Sequence, residues 1–103
     1  MKVYLSPLAE FKLDSIYDYL DREWSEKVKR EFQKKLFASF KSIAQFPKSH
    51  QESQSHPGIF KCVLNKQNSY IYRIIKDEIE IITVFDNRQD PDKIQKEIDE
   101  YFA

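Results

Sequence analysis

Apolar residues recur along the chain with two periods, and those periods divide it into elements. Lys2-Val3-Tyr4-Leu5 reads as a short strand. Ser6-Pro7 then opens a helix, because serine caps the free N–H groups and proline at the first helical position gives up no hydrogen bond. Leu13, Ile16, Tyr17, Leu20 and Trp24 follow at helical spacing and mark a core-facing stripe. Leu8, Phe11 and Tyr19 fall on the other side of the same helix, a second apolar face that a simple surface helix does not need. Ser25 caps a second helix that runs to Phe46 and is stopped by Pro47. Its stripe is Val28, Phe32, Leu36, Phe40 and Ile43, while Lys27, Arg30, Lys34 and Lys41 gather on the far side. Two amphipathic helices separated by so short a break predict a helical hairpin.

Residues 47–58 are polar and bounded by prolines, which predicts a loop. Three strand-like runs come next: Ile59 to Leu64, Ser69 to Ile75 and Ile79 to Phe85. Their connections are short enough for hairpins, so an antiparallel meander is expected. Asp90-Pro91 starts a last helix with Ile94, Ile98, Tyr101 and Phe102 on one face. The expectation is therefore an α+β fold of order βααβββα, a small antiparallel sheet packed against a helical hairpin with a C-terminal helix. A chain of 103 residues makes this one domain, residues 1–103.

Composition removes several classes of chemistry. Cys62 is the single cysteine, so no intramolecular disulfide forms, and its alternating neighbours suggest a buried, inert thiol. With Gly58 the only glycine, a glycine-rich phosphate loop is excluded, and no cofactor motif is present. The N-terminus has no long apolar region and no stretch is long enough to cross a bilayer, so no membrane association and a cytoplasmic location are expected. His50 and His56 lie six apart in a loop with Glu52 between them, a spacing that no helix or strand fixes as a metal site. No serine, histidine and aspartate arrangement with a local signature for nucleophilic catalysis appears.

Net charge is zero but unevenly spread. Residues 21–75 carry eleven Lys/Arg against five Asp/Glu, and residues 76–103 carry four against nine. Such a chain either presents a basic face to an acidic partner or nucleic acid, or neutralises itself on folding.

The opening VYLSPLAEFKLDSIYDYL resembles the first strand and helix of the RelE/ParE toxin superfamily, the plasmid-stabilisation toxins. SYIYRIIKDEIEIITVFDNRQDP resembles that family's closing hairpin, with its tyrosine-rich strand and arginine-containing turn. The resemblance covers nearly the whole chain and is nearer the ParE-like branch. It implies the toxin of a type II toxin–antitoxin pair, held in a hetero-oligomer by a cognate antitoxin. ParE-like members are thought to act on DNA gyrase; RelE-like members cut mRNA on the ribosome. A non-toxic binding module of the same fold is a third possibility.

A metal-independent ribonuclease needs cations around the scissile phosphate and an acid and a base beside it. The resemblance places the two strand lysines of RelE-like members at Phe60 and Cys62, with Lys61 between them on the other face. It places the central-strand arginine near Ser69, the arginine after the last strand at Arg88, and the helical tyrosine near Ile94, with Tyr101 about two turns on. Arg88 alone matches, so the catalytic set reads as broken, and Arg88 is either a target contact or a local ion pair with Asp86 or Asp90. Lys61 and Arg73, on neighbouring strands, are further target-binding candidates if the register puts them on one face. Tyr70 and Tyr72 point to one side of a strand and read as core before base-stacking. Leu8, Phe11 and Tyr19 are the antitoxin-binding candidates.

Overall fold

The computed structural model describes residues 1–102. The chain order is β1 (Lys2–Leu5), α1 (Pro7–Glu23), α2 (Glu26–Gln45), β2 (Gln51–Glu52), β3 (Ile59–Val63), β4 (Asn68–Ile75), β5 (Glu78–Asp86) and α3 (Pro91–Tyr101). Both predicted serine caps are in place: Ser6 Oγ accepts from the Ala9 N–H at 3.0 Å and Ser25 Oγ from the Val28 N–H at 3.2 Å. Ser6 also donates through Oγ to the Ile82 carbonyl at 2.6 Å, so a single residue starts α1 and fastens it to β5.

The five strands lie in the order β1-β5-β4-β3-β2. The meander β3-β4-β5 is antiparallel as its short connections require, and β2 extends it from within the segment expected to be loop. The turn between β4 and β5 has two residues, and Lys76 takes the positive φ of 55° that such tight hairpins demand. β1 joins in parallel, Lys2 opposite Glu78 through Leu5 opposite Ile81, so the sheet is mixed and open. β1 ends there, and the second half of β5 is flanked by α1 instead.

The two sheet faces are covered differently. The α1–α2 hairpin packs Leu13, Phe32, Leu36 and Ile43 against Phe60, Cys62, Tyr70, Tyr72, Ile79, Ile81 and Val84. The stripe predicted for α2 is the buried one, with Leu36 and Ile43 fully enclosed. Tyr70 and Tyr72 are core residues, and each hydroxyl finds a partner: Tyr70 Oη lies 2.6 Å from Ser39 Oγ, and Tyr72 donates to the Pro47 carbonyl at 2.8 Å. Cys62 is buried, its Sγ 3.4 Å from Ser39 Oγ. Trp24 corrects the sequence reading. It is 64% exposed, because α1 ends at Glu23 and Trp24, at φ −124° and ψ −106°, leaves the helical stripe.

The opposite face holds a smaller cluster, Ile59, Ile71, Ile82, Phe85 and Ile98, with Ile94 and Tyr101 packed on it from α3. A β-bulge makes this possible. Ile71 pairs with Thr83 and Tyr72 with Ile81, leaving Ile82 as the extra residue on β5. The bulge resets the alternation, so Ile82 faces α3 while Ile81 and Val84 both face the hairpin.

Candidate functional site

α3 covers only part of its face, and beside it lies an open groove of about 630 Å³. Ile59, Ile71 and Phe85 form the floor, Ile94 and Ile98 one wall, and amides such as Gln51, Gln54 and Gln95 the rim. Lys61 is the single cation lining it, its Nζ 5.6 Å above the Phe85 ring. Val63, at the outer end of β3, is 62% exposed. Because β2 reaches only as far as Lys61, the β3 edge beyond that point has no neighbouring strand.

The strand register decides the face of Lys61 and Arg73. Lys61 lies opposite Ile71 and Arg73 opposite Ile59, so the two share the α3 side of the sheet. Their situations differ. Arg73 Nε is 2.9 Å from Glu80 Oε1, and its guanidinium sits 4.7 Å from the Phe102 ring centre and 5.6 Å from that of Tyr101. Glu80 is 8% exposed, so Arg73 is committed to neutralising a buried carboxylate. Lys61 has no ion-pair partner among the described residues and faces the open groove.

α3 is tied down on two of its sides. Glu97 accepts from Thr83 Oγ1 at 2.9 Å and meets Lys12 Nζ of α1 at 3.1 Å. His56 Nε2 lies 2.8 Å from Asp99 Oδ1, and Gln95 Nε2 lies 3.0 Å from His56 Nδ1. His56 therefore joins the 53–58 loop to α3, whereas His50 stands edge-on to Tyr72. The two histidines do different jobs.

Arg88 follows β5 on the surface, its side chain 75% exposed. Asp86 grips it with two oxygens, Nε to Oδ1 at 3.0 Å and Nη2 to Oδ2 at 2.7 Å, and accepts from the Arg88 backbone N–H at 2.8 Å. Those hydrogen bonds hold the Asp86 carboxyl below the usual carboxylate range and raise the guanidinium above its own. Tyr19 of α1 is close enough to add to the latter effect. Of the two readings of Arg88, the local ion pair with Asp86 is the one observed, and it leaves the guanidinium in solvent.

Asn87 was not singled out in the sequence, yet it organises this corner. It accepts from Ser69 Oγ at 2.5 Å and donates to the carbonyls of Asn65 and Lys66 at 3.0 and 3.1 Å, joining two turns distant in sequence. An asparagine directly after a strand was the available signal. The groove lining was missed for another reason: Ile94, Ile98 and Phe85 read as ordinary core, and only the partial cover by α3 opens them.

Of the positions where a RelE-like enzyme carries its chemistry, Phe60 stacks on Tyr72 at 5.4 Å and Cys62 lies under the hairpin. Ser69 is bonded to Asn87, Ile94 lines the groove and Tyr101 packs beneath Arg73. Elsewhere, Phe11 and Tyr19 are 68% and 48% exposed while Leu8 is half-buried, so two of the three antitoxin candidates stand free. Lys27, Arg30, Lys34 and Lys41 are all exposed. Among the described residues, no helix is long and apolar enough to cross a membrane.

The fold has known relatives. It superimposes on a chromosomal ParDE toxin–antitoxin structure from P. aeruginosa with a TM-score of 0.70 at 19% identity, covering 84% of this chain and 95% of that one. The isolated E. coli RelE toxin matches with a TM-score of 0.57 at 14% identity, covering 99% and 98%. A YoeB-YefM complex from Staphylococcus aureus matches with a TM-score of 0.56 at 16% identity, covering 82% and 94%. No curated protein matches the sequence. The model of the ParE toxin family, ParE toxin of type II toxin–antitoxin system, parDE, matches residues 3–91. That span takes in every strand but for Lys2 at the start of β1, and the chain belongs to the ParE toxin family of type II toxin–antitoxin systems.

Proposed function

We propose that this toxin acts by gripping a protein target, which the family resemblance suggests is DNA gyrase, and that a cognate antitoxin neutralises it. The observation that carries this reading is the groove beside α3: an apolar floor, a rim of amides, one cation, Lys61, and one carboxylate, Glu52, which accepts from the Gly58 N–H at 2.9 Å. Such a lining suits apolar side chains and a carboxylate from a protein partner. RNA cleavage asks for the reverse, several fixed donors around a phosphate, and the loss of one such donor alone costs about 10²–10³ in rate. Arg88, exposed and held by Asp86, stands next to two groove-lining residues, Asn87 and Gln89, and extends the same surface.

The antitoxin is placed on the outward face of α1, where Phe11 and Tyr19 are exposed. Covering large apolar side chains contributes roughly 1.5–3 kcal/mol each. The ParDE and YoeB-YefM structures, which pair toxins of this fold with antitoxins, support the existence of such a partner.

Two assays on purified protein test the target. Gyrase supercoiling should be inhibited, and Lys61→Glu or Arg88→Ala should weaken inhibition at least tenfold. Ribosomes programmed with a defined mRNA should show no codon-positioned cuts when 5′ ends are mapped. Cuts abolished by Arg88→Ala would replace this reading with a ribosome-dependent endoribonuclease. For the antitoxin, Phe11→Glu with Tyr19→Glu should abolish its capture while the fold persists, and unchanged capture moves its site elsewhere.

A further inference from the structure

The outer face of α2 carries a pattern that neither the groove nor the outward face of α1 explains. Lys27, Lys34 and Lys41 lie seven residues apart, and Arg30 and Phe37 lie seven apart between them. On a helix these five positions fall within an arc of about 80°, and Lys27 to Lys41 spans about 21 Å. All five are exposed, Phe37 at 54%. Among the described residues none of the four cations makes an ion pair, although the fold pairs Lys12, Lys29, Arg73 and Arg88 with carboxylates. Glu26 and Glu31 border the stripe without closing on it.

We propose that this stripe is a contact strip for the phosphate backbone of duplex nucleic acid, bound without sequence preference. Four long cationic arms on a convex helix offer donors to phosphates and nothing that reads a base edge. The protein has no net charge, so its attraction for a polyanion must come from this local row and not from the molecule as a whole. An acidic polypeptide is the other chemistry the charge admits. It would need apolar anchors beside the cations; the stripe offers one, Phe37, and the groove that Phe37 borders is lined by Glu10 and Asp14 as well as Leu13 and Tyr17. Those carboxylates repel an acidic peptide, whereas a backbone following the convex stripe need not enter the groove.

The experiment is fluorescence anisotropy of a labelled 24-base-pair duplex of arbitrary sequence against the full chain. With about four phosphates neutralised, affinity should fall about 100-fold between 50 and 200 mM salt. Lys27→Gln with Arg30→Gln, and separately Lys34→Gln with Lys41→Gln, should each remove about half of that salt dependence. The quadruple variant should lose binding at 50 mM salt at least tenfold, with circular dichroism confirming an intact fold, since glutamine is nearly as good a helix former as lysine. Lys93→Gln with Lys96→Gln, on α3, should leave binding unchanged. The proposal is overturned if the wild type does not bind at 50 mM salt. It is equally overturned if the four substitutions leave the salt slope intact, or if poly-glutamate binds more tightly than the duplex.

Discussion

The two faces of the sheet are built from the same strands yet divide the work of the molecule. The hairpin side is sealed: Leu36, Ile43, Tyr70, Tyr72, Ile79 and Ile81 have no exposed surface, and the tyrosine hydroxyls are hydrogen-bonded inside. The α3 side has fewer buried residues, an ion pair near its centre and a groove that stays open. The sealed face holds most of the buried core, and the open face carries the groove on which the proposed function rests. A domain of this size buries about two thirds of its unfolded surface, and enclosing both faces would close that groove.

Truncation tests that division most strongly. Leu36→Ala, in the sealed core, should cost about 3–5 kcal/mol, whereas Ile98→Ala, on the partly open side, should cost nearer 2 kcal/mol. Equal losses in urea unfolding would mean that both faces carry the fold alike. Within the open face the cations separate in the same way. Arg73→Ala leaves the Glu80 carboxylate buried without its partner and should cost about 2 kcal/mol, while Lys61→Ala should stay within about 0.5 kcal/mol. A destabilising Lys61 change would show that the groove is structural.

Alkaline pH reads the sealed face most strongly, although burial raises the Tyr101 phenol on the α3 side as well. Burial, aided by the neighbouring Cys62 thiol, pushes the Tyr72 phenol up to about 12, against about 10 in an unfolded chain. The folded state thus holds the proton more tightly. The stability this contributes is whole below pH 10 and is lost as pH rises from there through 12. Tyr72→Phe should flatten the fall in Tm over that window, although the Tyr70 phenol, also raised by burial, keeps part of it. An unchanged profile would place the sensitive groups elsewhere.

The smallest effect belongs to the exposed corner. Asp86 titrates low in the folded protein because Arg88 donates to it, so its contribution is present above the ordinary carboxylate pKa and is lost as pH falls through the folded value. Arg88→Gln should move the Asp86 carboxyl midpoint upward, toward an ordinary aspartate, in an NMR titration. No movement would mean that the pair is not formed in solution.

The sequence by itself determined the helix caps and every element except β2, which fell in the expected loop, because these follow from local chemistry. Ser6-Pro7, Ser25 and Asp90-Pro91 start helices through the N–H groups next to them, and Val28 to Ile43 mark a buried stripe through the helical period alone. It also determined the burial of Tyr70, Tyr72 and Cys62, since strand alternation beneath a hairpin leaves them nowhere else to point. Trp24 escaped that logic because a helix end turned it out of the stripe. Only the tertiary structure decided which way β1 runs, since four residues pair equally well in either direction until Ser6 must reach the carbonyls of Ile81 and Ile82. The bulge at Ile82 left only a doubled Ile81-Ile82 after the alternating Glu78-Ile79-Glu80-Ile81, and a strand buried on both faces shows such doublings without a bulge. The groove was least legible of all. Its residues are the ones any buried strand or helix would carry, and they line a groove because α3 stops short of covering them.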